Sequence, residues 1–247
     1  MREIRVFSAL VLQAGMEIEL DDNAHRHVAR VLRLTVGDAL TLFNGDGFDY
    51  VGEIGFCDRR STRVRILSRE APGNESPLHL TLFAALLKGE AMDRVMQKAV
   101  ELGVSRIVPV AAARSEALLA GERRDKKLAH WQGVIIASAM QCGRAVLPAL
   151  DEITPLAAVL DAAVLDAADD LRWIFSPHHA PTADAPASAD RLSLLIGPEG
   201  GFTPDEVASA QSAGWFIQRL GPRILRADTA ATVAIARAQS RYGDLSR

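Results

Sequence analysis

The chain has 247 residues, 49% of them hydrophobic and 24% charged, with a formal net charge of −3. This length holds one or two domains and the composition supports a sizeable core, which excludes a disordered or fibrous chain. The charge balance by itself gives no sign of nucleic acid, although a bulk value can hide a local basic patch.

Residues 1 to about 70 read mainly as strands. Ala39–Phe43 and Phe48–Ile54 flank Asn44-Gly45-Asp46-Gly47, a turn signal that predicts a hairpin. Ser61–Leu67 alternates and predicts a third strand. One helix interrupts the set from about Asn23 to Leu34, with Ala24, Val28, Val31 and Leu32 on its apolar side. Its other side carries Arg26, Arg30 and Arg33 at helical spacing, a face that could track phosphates or simply be solvated. Strands plus one helix in this length predict a small β-barrel-like domain. Glu70–Pro77, with two prolines, a glycine and polar residues, has linker chemistry, so the domains are placed at 1–72 and 73–247.

Beyond the linker, strands and helices alternate, the signature of a mostly parallel α/β sheet. Leu78–Leu87 predicts a strand and Ala91–Leu102 an amphipathic helix built on Met92, Val95, Met96 and Ala99, stopped by Gly103. Arg106–Val110 is the next strand, and Lys126–Gln141 a helix on Leu128, Trp131, Ile135 and Ser138, stopped by Gly143. Trp173–Phe175 and Leu192–Ile196 are short core strands, and Pro177–Asp190 between them reads as a mobile surface loop holding His178 and His179. Thr203-Pro204-Asp205-Glu206 starts a helix with a capping box and a proline at its first position; Gly214 ends it. Phe216–Leu220 is a strand and Asp228–Tyr242 a long Ala-rich helix.

Cys57 and Cys142 are far apart and lack metal-ligand spacing, so free thiols of a reducing compartment are expected and no metal site. No apolar run reaches the roughly 20 residues of a membrane span, and the first residues lack a charged-then-apolar signal pattern. The expectation is a cytoplasmic protein with no membrane partner.

Two segments stand out: Ile196-Gly197-Pro198-Glu199-Gly200-Gly201-Phe202 and Leu220-Gly221-Pro222-Arg223-Ile224-Leu225-Arg226. Each follows a predicted strand and leads into a helix, where glycines let a ligand approach the backbone closely. Neither has the Gly-Lys-Ser/Thr ending of a phosphate-binding loop, and neither has Gly-x-Gly-x-x-Gly spacing in a first strand–helix turn. A ligand with an adenosine part and no phosphates fits better; tight structural turns are the alternative.

Both loops resemble the cofactor-binding segments of the SPOUT methyltransferases, in particular the RsmE family of 16S rRNA uridine N3-methyltransferases. Three further stretches are similar to that family, in its order: His27–Arg33 followed by Val36-Gly37-Asp38; Lys88-Gly89-Glu90 leading to Gln97–Val104; and Gln141-Cys142-Gly143-Arg144 followed by Pro148. The resemblance implies an N-terminal PUA-like RNA-binding domain and a C-terminal α/β domain with a deep trefoil knot near 190–247, although chains are not knotted by default. It also implies S-adenosylmethionine as cofactor, a homodimer through the knotted domain, and 16S rRNA of the small ribosomal subunit, in its decoding region, as substrate. Two positions depart from the family's pattern: Met140 stands where Glu is common, and Asp228 where Arg-x-Glu-Thr is common.

The resemblance marks Pro177, Ile196, Gly197, Glu199, Gly200, Gly201, Leu220, Gly221, Ile224, Leu225, Thr229 and Ala230 as cofactor-binding candidates. Arg226, Asp228 and Arg144 are the catalytic candidates: Arg226 to stabilise an anion or grip the base, Asp228 to accept a proton or cap the last helix, Arg144 to contact RNA or the site. Arg26, Arg30, Arg33, Lys88, Arg94 and Lys98 are the RNA-binding candidates. Uridine N3 carries a weakly acidic proton that must leave, so the site is expected to offer a base or cations. Another SPOUT enzyme acting on tRNA or a ribose 2′-OH, or a non-catalytic RNA-binding assembly factor of the same fold, stays open at this point.

Overall fold

A computed structural model describes residues 4–115, 121–161, 171–182 and 186–245. The chain divides into two compact units, Met1–Glu75 with Ile136–Leu147, and Ser76–Ile135 with Pro148–Arg247.

In the first unit, β1 (Arg5–Phe7), β2 (Glu17–Glu19), β3 (Ala39–Phe43), β4 (Asp49–Cys57) and β5 (Thr62–Glu70) form one sheet in the order β1-β3-β4-β5-β2. β3 and β4 are the antiparallel hairpin that the Asn-Gly-Asp-Gly signal predicts, with Gly45 and Gly47 both at φ +92°. Alternation works on β5 as expected: Val64 and Ile66 are fully buried while Arg63 and Arg65 face solvent.

The helix of this unit departs from expectation. Asp21 caps α1 (Asp22–Arg26), its Oδ1 accepting from the backbone of Asn23 (2.8 Å) and Ala24 (2.9 Å). The chain then winds as a π-helical turn over His27–Val31, in which Leu32 N donates to His27 O, five residues back, at 2.9 Å. The wider winding rotates the later residues off the apolar side. Ala24 and Val28 stay in the core, but Val31 is 68% exposed and Leu32 36%. Arg33 follows at φ +57°, a left-handed residue outside the helix, so it does not continue the face of Arg26 and Arg30.

The second unit carries β6 (His79–Ala85), α2 (Ala91–Glu101), β7 (Arg106–Ala111) and α3 (Glu122–Cys142), the last of which groups with the first unit from Ile136 onward. There follow β8 (Ala149–Leu150), β9 (Thr154–Pro155), α4 (Leu156–Leu160), β10 (Leu171–Phe175), β11 (Arg191–Ile196), α5 (Pro204–Ser212), β12 (Phe216–Gln218) and α6 (Ala227–Tyr242). The sheet runs β12-β10-β11-β6-β7-β8, with β9 also pairing β7, and every pairing is parallel. Successive residues on these strands, such as Leu82 and Phe83 or Leu194 and Leu195, are all buried, as a sheet covered on both faces requires. Phe83, Ile174, Leu195, Phe202, Val207 and Trp215 form one core cluster.

The capping box of α5 forms as predicted: Thr203 N donates to Glu206 Oε2 (2.8 Å) and Glu206 N to Thr203 Oγ1 (3.2 Å). The segment 177–190, expected to be mobile, is tied down where it is described. Thr182 Oγ1 accepts from Ile217 N (2.9 Å), and Pro186 O accepts from Arg241 Nη2 (3.1 Å) and Tyr242 Oη (2.8 Å).

Candidate functional site

A fully parallel sheet directs the carboxyl ends of its strands to one edge, where ligands bind in α/β proteins. Loops after β6, β10, β11 and β12 meet there around a cavity of about 650 Å³, within the size range of small-molecule sites. Its walls are Leu87, Ala91 and Arg94; Phe175 to His178; Ile196 to Gly201; and Gln218 to Asp228, with Ala230, but without Pro222.

The loop after β11 is held from three sides. Glu199 Oε1 accepts from Lys88 N (3.1 Å), Arg114 Nη1 donates to Gly200 O (2.9 Å), and Gly201 N closes back on Pro198 O (2.9 Å). Gly201 sits at φ +65°, and a side-chain carbon at Gly197 would lie 3.1 Å from the Phe202 ring. Bare backbone is therefore what this wall requires. The loop after β12 turns at Gly221 (φ +86°). Arg219 Nη2 donates to Pro177 O (2.7 Å), and Arg219 O accepts from Arg237 Nη1 (3.0 Å), so the walls after β10 and β12 are stitched together. Ile224, 74% exposed, puts an apolar side chain on the cavity wall.

Charge enters through Arg94, Arg219, Arg223, Arg226, Glu199 and Asp228, with His178 beside them. Asp228 is the second residue of α6, not its cap; Arg226 holds the cap position with extended backbone and no capping hydrogen bond. Arg94 Nε donates to Asp228 Oδ2 at 2.8 Å, and Thr229 N donates to Oδ1 at 2.9 Å. The Asp228 side chain is 16% exposed and that of Arg94 52%. The hydrogen bond from Arg94 first, with that from the Thr229 backbone, holds the Asp228 carboxyl below the ordinary aspartate range against the opposing effect of burial. Asp228 is thus a carboxylate at neutral pH and a weak proton acceptor. Arg226 is exposed and has no side-chain partner among the described residues.

Every cofactor-binding candidate except Thr229 lines this one cavity; Thr229 is exposed on the first turn of α6 outside it. Among the catalytic candidates, Arg226 and Asp228 line it and Arg144 does not. Arg144 belongs to the first unit, 4% exposed, where its Nε and Nη2 grip Glu75 at 3.0 and 2.7 Å. Its carbonyl accepts from Arg5 Nη2 (3.2 Å), and Arg5 pairs in turn with Asp49. A guanidinium buried in such a lattice is a structural element of the first unit, and Arg144 is not among the residues that line the cavity.

The RNA-binding candidates separate in the same way. Arg26, Arg30 and Arg33 are exposed on the first unit. On the second, Lys88 is exposed, Lys98 is paired with Glu101 (2.8 Å), and Arg94 faces the cavity in its ion pair with Asp228. The sequence reading missed Leu87, Ala91, Phe175, Ser176, His178, Pro198, Gln218, Arg219, Arg223 and Ala227; those after β10 line the cavity because strand order brings β10 between β11 and β12. His178 comes from the loop expected to be mobile, while His179 Nδ1 lies 2.7 Å from Ser176 Oγ.

The RNA methyltransferase domain family matches residues 74–239, and the RNA methyltransferase PUA domain matches residues 20–67. Ribosomal RNA small subunit methyltransferase E of Buchnera aphidicola is 32% identical over 98% of both chains. The chain belongs to the ribosomal RNA small subunit methyltransferase E family. The enzyme of that name from Mycobacterium tuberculosis is 35% identical, over 90% of this chain and 85% of its own. Among solved members of the family, the Neisseria gonorrhoeae protein, bound to S-adenosyl methionine, superposes with a TM-score of 0.90 at 33% identity, covering 99% of this chain and all of the other. A Legionella pneumophila methyltransferase in complex with the same cofactor gives 0.92 at 37% identity over the same shares. The family's α/β methyltransferase domain is thus preceded here by a small PUA-type β domain.

Proposed function

We propose that the chain methylates N3 of a uridine in the 16S rRNA of the small ribosomal subunit, in its decoding region, with S-adenosylmethionine as donor. The observation that carries this reading is the cavity at the carboxyl edge of the sheet, walled by the two glycine loops and rimmed by arginines. Its residues suit the donor. Leu87, Ile196, Pro198, Leu220 and Leu225 offer an apolar seat for a purine, bare glycine backbone offers polar groups, and Glu199 offers a carboxylate to a cationic ligand. Bound there, the cofactor would supply an electrophilic methyl group on a sulfonium, whose thioether leaves neutral.

The protein's own work is then positioning and charge. Arg226 and Arg223 stabilise the negative charge that spreads over the uracil carbonyls as N3 loses its proton. Asp228, already ionised, accepts a hydrogen bond from that proton, which passes on to solvent as N3 is methylated. In the first unit, Arg26, Arg30 and Arg33 hold the RNA backbone, a contact independent of sequence. On this reading residues 1–72 are the RNA-binding domain and 73–247 the methyltransferase domain, of SPOUT type and knotted near 190–247. Two copies pair through the knotted domain in the cytoplasm; exposed Ile224 (74%) and Val233 (39%) give that pairing apolar surface.

Small subunits from a strain lacking the protein, incubated with labelled S-adenosylmethionine and digested to nucleosides, test the proposal. Label in 3-methyluridine is expected. Label in a different nucleoside would overturn the target while keeping the donor.

A further inference from the structure

The edge of uracil that carries N3 has a fixed pattern: a carbonyl acceptor, the N3–H donor, and a second carbonyl acceptor. Its complement is a donor, an acceptor and a donor in a row. Arg94, Asp228 and Arg226 all line the cavity and carry groups of those three kinds, with Arg94 bonded to Asp228. Asp228 is the acceptor, a carboxylate with Oδ2 bound to Arg94 Nε at 2.8 Å and Oδ1 to Thr229 N at 2.9 Å, with accepting capacity left over. Arg94 uses Nε alone for this bond, so both its Nη groups have no partner among the described residues, and its side chain is 52% exposed. Arg226, two residues before Asp228 at the start of α6, is also without a side-chain partner among the described residues.

We infer that Arg94 is a specificity-determining residue, which together with Asp228 and Arg226 reads the imide edge of the arriving uracil and rejects cytosine. This rests on the uridine N3 reading above. Cytosine would turn its amino group toward a guanidinium and its N3 lone pair toward a carboxylate, so donors meet donors and acceptors meet acceptors. The recognition concerns the base as it arrives, before its proton leaves. Of the other charged groups of the cavity, Arg223 can share the second carbonyl with Arg226, while two are engaged elsewhere. Glu199 holds Lys88 N and Arg219 holds Pro177 O. Asp228 belongs to this arrangement because Arg94, on α2, reaches it across 134 residues of sequence.

The test compares small subunits carrying uridine or cytidine at the position the wild-type enzyme methylates. Wild type, Arg94→Ala, Arg94→Lys and Asp228→Asn are assayed for kcat/KM, for competition by the cytidine subunits, and for S-adenosylmethionine affinity. Arg94→Ala is expected to lose about tenfold or more in kcat/KM on uridine, the scale of a bidentate base contact. Its cofactor affinity should stay unchanged and cytidine subunits should compete more nearly as well as uridine ones. Arg94→Lys, which can pair with Asp228 but lacks the fork, should recover only part. Asp228→Asn should lose discrimination as well. An Arg94→Ala enzyme with wild-type kcat/KM and wild-type rejection of cytidine would overturn the inference. So would a loss of cofactor affinity in proportion to the loss of turnover. If the wild type itself forms no 3-methyluridine, the uridine N3 reading falls and this inference with it; if it does, the Arg94 result stands alone.

Discussion

Gln239 is the buried polar centre of the second unit, and Gly243 is the residue that makes room for it. The Gln239 side chain, on α6, is 0% exposed. Its Nε2 donates to Leu102 O (2.8 Å) and Gly103 O (3.3 Å), and its Oε1 accepts from Ser76 Oγ (2.7 Å). It thereby ties α6 to the residues just after α2 and to Ser76, three residues before β6. A Cβ at position 243 would lie 1.8 Å from Gln239 Oε1 and 2.9 Å from Ser76 Oγ, on a backbone at φ −106° and ψ −133° that a residue with a Cβ adopts only at some cost. Gly243→Ala must therefore expel the amide from its place. Two or three polar groups then lose partners at about 1–3 kcal/mol each for full burial. Ser76, Leu102 and Gly103 are only half-buried, so water recovers part, and a loss of about 2–4 kcal/mol is expected. Gln239→Ala should cost a similar amount, since it abandons the same bonds and leaves a small cavity.

The two changes share one mechanism, so they should not add. In the Gln239→Ala background the added methyl meets only the Ser76 hydroxyl, which can rotate away, so Gly243→Ala should cost less there than in the wild type. Urea unfolding of the wild type, both single variants and the double variant gives the coupling directly, provided m stays constant. A coupling of about 2 kcal/mol or more is expected, with the thermal midpoint of each single variant several degrees lower. Additive effects, or a Gly243→Ala protein as stable as wild type, would refute the account of Gln239 as a fixed buried amide.

Arg226→Ala should abolish methyl transfer with the unfolding midpoint and S-adenosylmethionine affinity retained, because Arg226 is exposed and has no side-chain partner among the described residues; unchanged turnover would remove it from the mechanism. Arg144→Ala should behave in the opposite way, destabilising by about 2–4 kcal/mol because Glu75 is left without its buried partner, as denaturant unfolding would show. Arg30→Ala should weaken RNA binding and flatten its salt dependence while sparing cofactor affinity, measured by titration at two ionic strengths. Thr203→Ala removes the cap of α5 and should cost about 1 kcal/mol. For pH, the depressed Asp228 carboxyl stabilises the fold above the unfolded aspartate range near about pH 4, and that contribution is lost as pH falls through the lower folded value. Arg94→Ala should therefore lose less stability than wild type as pH falls below about 4; parallel acid limbs would show that the pair does not stabilise.

What could be read from the sequence was local. The hairpin around Gly45 and Gly47, the core side of α2 and the capping box of α5 each depend on residues within a few positions of one another, and residue spacing reports them. The π-helical turn could not be seen: Val31 and Leu32 suit a buried α-helical side, and the five-residue hydrogen bond that turns them outward leaves no mark in the residue order. Arg144 misled for a related reason. Its neighbours Cys142 and Gly143 say nothing of Glu75, 69 residues away, which fills its guanidinium. The glycine loops after β11 and β12 were legible because close backbone approach demands a residue type.

The wall after β10 was legible only at Pro177, because Phe175, Ser176 and His178 reach the cavity through strand order, with β10 paired to both β11 and β12. The Arg94–Asp228 pair has the same origin: α2 and α6 are brought side by side by the sheet, and the sequence marks one end as a surface cation and the other as a helix start. A candidate residue in this fold is thus identified by two separate facts. Its chemistry is written in the sequence, whereas its access to the cavity is set by which strand ends the parallel sheet gathers at one edge. Arg144 has the first without the second, and Arg94 and Arg226 have both.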